Sequence, residues 1–232
     1  MVRREPVQWR VQVGAETTSA VVDRADGSDG STVFVCAHGA GGNMNDRGTL
    51  AAAKALGARG LDIVRFNFLY TEKNSGRPDP MPKLKETTQA VVARVRDELA
   101  PKRVIIGGRS MGGRAASMLA ADGFDCTGLL LLAYPLHPAG KPDQLRDAHL
   151  PAIRVPVLCI NGTRDALCTP ELMERAIAPV SAPWQMHWIE GADHSFHVLK
   201  SSGRNDAAVM TEVADAVESW LRTALPELGS DS

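Results

Sequence analysis

Short, mostly apolar runs recur along this chain, separated by longer segments whose apolar residues return every three to four positions. The runs are residues 32–37, 62–68, 103–106, 128–134, 157–161 and 184–189. All are strand-sized; 32–37 and 128–134 are continuous apolar runs of the kind found in strands buried on both faces of a sheet, while 62–68 and 184–189 also carry polar residues. The periodic segments predict helices over 46–59, from the turn at 110 to 122, and over 83–99, 170–180 and 205–224. In the third of these, Leu84, Thr88, Val91, Val92, Val95 and Leu99 share one face and Pro101 is the stop; in the last, Val209, Val213, Val217, Trp220 and Leu221 do the same. Ahead of them, residues 9–13 and 17–22 read as an antiparallel hairpin joined through Gly14 and Ala15. Residues 70–82 and 135–156, rich in proline and glycine, read as loops, and the second is too short to hold a large helical lid.

Strands alternating with helices from residue 32 onward imply right-handed βαβ units. The expected class is therefore α/β: a mostly parallel central sheet with helices on both faces. The 232 residues are expected to form one domain, with its core over 8–225 and a polar tail at 226–232. In such sheets chemistry gathers where the strands end at their carboxyl side. Here the glycine-rich or polar residues fall after Ala37, Ile106, Asn161 and Ile189.

Composition narrows the function classes. With 44% hydrophobic and 23% charged residues the chain is globular, neither disordered nor membrane-like. A net charge of −1 gives no broad attraction to nucleic acid or anionic lipid. The arginines at positions 3 and 4 are followed by no apolar run, so a secretory signal is not expected, and no run reaches the roughly 18 apolar residues of a membrane span. The expectation is a cytoplasmic protein with no nucleic-acid or membrane partner. Cys36, Cys126, Cys159 and Cys168 form no C-x-x-C pair and are expected as buried reduced thiols.

The densest chemical signal is Gly107-Gly108-Arg109-Ser110-Met111-Gly112-Gly113 between a strand and a small-residue helix. It contains G-x-S-x-G, in which a serine at the apex of a sharp strand-to-helix turn needs flanking residues without Cβ where neighbouring chain comes close. A phosphate loop would need Lys followed by Ser or Thr after its last glycine; Gly113 and Arg114 stand there instead. A serine hydroxyl needs a base to act as a nucleophile at neutral pH, and the base needs a carboxylate to fix its tautomer. Asp165 and then His194 follow Ser110, each in a loop after a strand. Asp193, Asp125 and Asp143 are weaker choices for the acid, and His197 rivals His194 for the base. The pair His194 and His197 lacks an accompanying ligand set for a metal. Two backbone donors would serve an oxyanion: Met111 N–H, after the serine, and Ala40 N–H, with Gly41 as alternate, in His38-Gly39-Ala40-Gly41-Gly42. His38 is expected to shape that loop, and His137, His149 and His187 to be surface or packing residues. Gly41, Arg109 and Arg77 are candidate substrate contacts, and Arg109, Arg77 and Arg47 would suit an anionic group.

On His38-Gly39-Ala40-Gly41, Gly108-Arg109-Ser110-Met111-Gly112-Gly113, Asn161-Gly162-Thr163-Arg164-Asp165 and Gly191-Ala192-Asp193-His194-Ser195, the chain resembles the α/β-hydrolase superfamily. Within it, the sequence is similar to the small, lidless, dienelactone-hydrolase-like group, over roughly residues 30–222. The resemblance implies the α/β-hydrolase fold and hydrolysis of an ester or related acyl bond of a small substrate without a metal or organic cofactor. Dienelactone hydrolases proper usually carry cysteine where this chain has Ser110. The same residues would equally serve a thioesterase or an acyltransferase, and the fold also admits a non-catalytic binding or scaffold role.

Overall fold

The hairpin expected at the start is present and opens one continuous sheet. The computed structural model describes residues 5–225; the arginines at 3 and 4 and the expected polar tail at 226–232 lie outside the described residues. The elements run β1 (Val7–Val13), β2 (Glu16–Asp23), β3 (Thr32–Ala37), α1 (Arg47–Gly57), β4 (Asp62–Phe66), α2 (Leu69–Glu72), α3 (Met81–Leu99), β5 (Arg103–Arg109), α4 (Met111–Ala121), β6 (Gly128–Leu132), β7 (Val157–Gly162), α5 (Pro170–Ile177), β8 (Trp184–Ile189) and α6 (Asp206–Ala224). The eight strands lie in the order β1-β2-β4-β3-β5-β6-β7-β8. β1 and β2 are antiparallel to their neighbours, and the six strands from β4 to β8 are parallel.

The alternation of side chains along each strand divides the core into two layers. Val33, Val35, Ile106, Leu129, Leu131 and Cys159 pack with Val91 and Val95 of α3, Leu119 of α4 and Met173 of α5. Their neighbours in sequence, Phe34, Ile105, Leu130, Leu158 and Ile160, point the other way onto Leu56 of α1 and Val213, Val217 and Trp220 of α6. Both faces are therefore covered, which is why these strands show no polar alternation. Trp220 seats its ring against the start of β6: a Cβ on Gly128 would stand 3.0 Å from it, so the strand begins with the one residue that admits the ring. Among the described residues no helix is long and apolar enough to cross a membrane.

Element boundaries differ from expectation where side chains capture backbone. The strand expected over 62–68 ends at Phe66. Asn67 N still donates to Ser19 O at 3.0 Å, but its carbonyl accepts from Thr18 Oγ1 at 2.6 Å and Phe68 N donates to His38 Nε2 at 3.1 Å, while the Asn67 side chain accepts from Met44 N at 2.9 Å and donates to Glu72 Oε1 at 2.9 Å. The loop expected over 70–82 contains α2, whose Glu72 accepts from Ser19 N at 3.0 Å and pairs with Arg10. Asp46 lies outside α1 as its N-cap, accepting from Thr49 N at 2.7 Å. β6 stops at Leu132 because Ala133 adopts φ 53°. The segment from β6 to β7 holds a single short 3-10 turn, Leu150–Ala152, and buries Leu136, Leu150 and Ile153 in the core, so it packs down and does not rise as a lid. All four cysteines are free and buried, and burial pushes the Cys36 and Cys126 thiols up to about 12.

Trp220→Ala is expected to cost about 3–5 kcal/mol, because its bulk spans the α6–sheet contact with no side chain free to fill the void. Urea unfolding followed by fluorescence or circular dichroism checks it. A midpoint unchanged from wild type would show that α6 is not held by this ring.

Candidate functional site

Five strand ends converge on Ser110. β5 brings it up, and at Ser110 the chain adopts φ 50° and ψ −115° before turning directly into α4. That conformation costs a non-glycine residue roughly 1–3 kcal/mol and persists only where the surroundings hold it. Two glycines allow the hold: a Cβ on Gly108 (φ 135°) would overlap Ala37 backbone, and one on Gly112 would stand 2.7 Å from His38 O. Ser110 N donates to Leu132 O at 2.9 Å, and Ser110 O accepts from Arg114 N at 3.0 Å as the first helical bond.

His194 and Asp165 come from the loops after β8 and β7. His194 Nε2 lies 2.9 Å from Ser110 Oγ, and its Nδ1 lies 2.8 Å from Asp165 Oδ2. A carboxylate accepts only, so Nδ1 carries the proton and Nε2 is left to accept the serine hydroxyl. The Asp165 side chain is fully buried. Its Oδ1 accepts from Leu167 N at 2.8 Å and its Oδ2 also accepts from Asn161 Nδ2 at 3.2 Å. The His194 carbonyl accepts from Arg109 Nη2 at 3.2 Å, and the same nitrogen reaches Ser195 Oγ at 3.2 Å, tying the β8 loop to the residue before Ser110.

The glycine-rich loop after β3 passes close by: a Cβ on Gly39 would lie 3.6 Å from Ser110 Cβ. His38 is buried beneath this loop, with Nδ1 donating to Gly39 O at 2.8 Å and Nε2 accepting from Phe68 N. Burial lowers its pKa, so it is the neutral imidazole that holds the loop. Gly41 N donates to the Tyr70 hydroxyl at 3.2 Å. Ala40 N–H donates to no backbone carbonyl among the described residues, and Met111 N–H opens α4, where helical N–H groups have no partner. On the α1–α6 side of this loop lies a cleft of about 670 Å³, lined among others by Ala40, Gly41, Arg109, Ser195, Phe196 and Met210.

The other candidates fall elsewhere. Asp193 is a turn residue, its Oδ1 accepting from Ser195 N at 2.8 Å and His197 N at 3.0 Å. His197 pairs with Asp206 at 2.9 Å and Asp125 pairs with Arg96, both at the surface. Asp143 is exposed. Arg47 stands 3.6 Å from Asp206, and Arg77 sits on the exposed loop between α2 and α3 without a side-chain hydrogen bond to these residues. His187 pairs with Glu212 at 3.0 Å, and His137 is buried with Nδ1 3.0 Å from Pro138 O. His149 is more than a packing residue: its Nε2 lies 2.8 Å from Ser117 Oγ, and burial followed by the nearby Arg114 charge pushes it down to about 4.

Two supports were missed by reading residues one at a time. Asn161 is wholly buried and donates to Asp165 and to Tyr134 O at 3.1 Å, while its Oδ1 accepts from Tyr134 N at 3.0 Å. An asparagine inside an otherwise apolar strand run was the available signal. Tyr70 carried none, because it reaches the Gly41 loop only through the fold.

Residues 30–222 match the model of the family described as an alpha/beta hydrolase domain. Among solved structures, the chain is similar to an α/β serine hydrolase homologue from Coxiella burnetii, at 23% identity over 93% of this chain and 97% of that one, with a TM-score of 0.74. It is likewise similar to an α/β serine hydrolase without a lid from Xanthomonas campestris, at 22% identity over 94% and 96%, TM-score 0.74. A dienelactone hydrolase from Anabaena variabilis aligns at 19% identity over 95% and 98%, TM-score 0.73.

Replacing Asn161 by alanine strips partners from Asp165 and from both Tyr134 backbone groups, an expected loss of at least about 2 kcal/mol. Chemical denaturation reads it, and a loss below about 0.5 kcal/mol would mean that water serves these groups equally well. For His149, unfolding takes up a proton between the folded value of about 4 and an unfolded value near 6.5, so its contribution rises with pH across that window and is lost as pH falls through it. The melting temperature of His149→Gln should therefore fall less than that of wild type between pH 6.5 and 4.5; parallel slopes would count against a neutral His149.

Proposed function

The chain belongs to the α/β-hydrolase domain family, and on that premise we propose that it is a serine hydrolase cleaving a carboxylic ester, or a related acyl bond, of a small substrate through an acyl-enzyme. The observation that carries this reading is the unbroken line from Ser110 Oγ through His194 to buried Asp165, at 2.9 and 2.8 Å.

In this reading Ser110 Oγ attacks the acyl carbonyl carbon as His194 Nε2 takes the hydroxyl proton. Asp165 holds the imidazole and stabilises its cation; its buried carboxylate has three donors, so it stays placed while the charge comes and goes. The carbonyl oxygen gains negative charge, and Ala40 N–H and Met111 N–H are the donors proposed to meet it, the second with the positive end of the α4 dipole behind it. Gly41 N–H is a poorer second donor because Tyr70 already accepts from it. The tetrahedral adduct collapses as the leaving group takes the proton from His194. Water then attacks the acyl-serine, with His194 again as base, and the carboxylic acid leaves. The low segment between β6 and β7 leaves the Ser110 side open, which favours small or soluble substrates.

A fluorophosphonate probe should label the native protein at Ser110, with no labelling of Ser110→Ala. In a panel of p-nitrophenyl esters of short acids, Ser110→Ala and His194→Ala should each lower kcat by about 10⁴-fold or more. Equal labelling of wild type and Ser110→Ala, or ester turnover undiminished in both variants, would leave a binding module as the better reading. Partition of the acyl group between water and an added amine or alcohol separates hydrolase from acyltransferase.

A further inference from the structure

Two arginines beside the Ser110 turn carry charge that no carboxylate among the described residues answers. Arg114 lies one helical turn into α4, its N–H bonded to Ser110 O. Its charge acts on Tyr134, Arg146 and His149, so its guanidinium lies toward the segment that follows β6. Its Nε is buried without a hydrogen-bond partner.

Arg146 approaches from the segment after β6. Its N–H donates to Leu136 O at 2.7 Å, its carbonyl accepts the Tyr134 hydroxyl at 2.8 Å, and its Nη1 reaches only Pro135 O, at 3.4 Å. Burial and the neighbouring Arg114 charge lower its pKa, as expected of guanidiniums close enough to repel. Ser117 Oγ joins the two elements, donating to Arg114 O at 2.8 Å and meeting His149 Nε2 at 2.8 Å. Asp147 and Asp122 act on His149, but neither forms an ion pair with Arg114 or Arg146.

Other arginines at comparable depth have their guanidiniums engaged: Arg24 pairs with Asp62, Arg65 with Asp23 and Arg204 with Glu212, while Arg103 and Arg109, which also lack a carboxylate among the described residues, donate to Thr32 Oγ1 and Leu225 O and to His194 O and Ser195 Oγ. A buried unpaired N–H inside a repelling pair is destabilising, and a bound anion would offset both effects. Two planar forks also match the oxygens of one carboxylate or phosphate.

We infer that Arg114 and Arg146 form a subsite for an anionic oxygen group, carboxylate or phosphate, carried by the acyl substrate on the β6–β7 side of Ser110. This rests on the serine-hydrolase reading for its place in the reaction. It moves anion recognition away from Arg109, which ties down the His194 loop, and from Arg47, which lies near Asp206. The subsite is also on the opposite face of the sheet from the α1–α6 cleft.

The test compares kcat/KM for the p-nitrophenyl monoester of glutarate with that for p-nitrophenyl butyrate. The glutarate-to-butyrate ratio should fall about tenfold or more in Arg114→Gln and in Arg146→Gln, with partial recovery in the lysine variants. A ratio within about twofold of wild type in both glutamine variants would overturn the subsite. Binding of glutarate and of inorganic phosphate to Ser110→Ala, measured by calorimetry, reads the subsite without turnover. The tighter ligand identifies the group, and its loss on adding Arg146→Gln supports the assignment; no binding of either overturns it even where butyrate is hydrolysed. Conversely, Arg146-dependent binding in a protein that neither hydrolyses butyrate nor takes the fluorophosphonate label would uphold the anion site and overturn the hydrolase reading.

Discussion

The strained backbone at Ser110 is the constraint on which the rest of the site depends. A residue with Cβ at φ 50° is held there only because β5 and α4 are clamped against β3 through backbone that nearly touches at Gly108 and Gly112. That clamp needs the parallel β3–β5 pairing in register through Gly108, and the pairing needs both faces of the sheet covered. The hairpin, the two helix layers and the Trp220 contact thus bear on one turn. With its conformation fixed, Ser110 Oγ has a defined direction, and the loops after β3, β7 and β8 can be built to meet it.

The supporting groups form a graded chain of burial. Asn161 is fully enclosed, Asp165 nearly so, and His194 is partly exposed where a substrate would arrive. This gradient suits a site in which the acid must keep its geometry while the imidazole exchanges protons. Arg109 adds a brace from the other side by holding the carbonyl of His194, so the ring is fixed through both its side chain and its main chain. His38 does the equivalent for the glycine-rich loop, and its neutral state keeps a positive charge out of the core.

Charge outside that line is distributed unevenly. Arg24, Arg65 and Arg204 have carboxylates and Arg103 and Arg109 donate to carbonyls and hydroxyls, whereas in the pair beside the β6–β7 segment Arg114 Nε has no partner among the described residues and Arg146 reaches only Pro135 O. Two guanidiniums close enough to repel, beside the Ser110 turn, form an arrangement that repulsion and desolvation both act against.

The sequence by itself determined the α/β class, the six parallel strands, the large helices and the residues of the Ser110 line, because each rests on a local signal: run length, helical period, glycine spacing, and polar residues just after strands. Asp165 was separable from Asp193 because Asp193 adjoins His194 in sequence, and neighbouring side chains rarely face each other productively; in the fold Asp193 Oδ1 accepts from Ser195 N and His197 N. What only the tertiary structure decided were contacts between segments remote in sequence. Tyr70 at Gly41, Asn161 at Tyr134 and Arg146 near Arg114 each join different loops, and none has a period or spacing to betray it. The boundaries at Phe66 and Leu132 belong to the same class: His38 captures Phe68 N after the first, and after the second Ala133 turns to φ 53° while Asn161 captures Tyr134 N, a competition that strand propensity does not record.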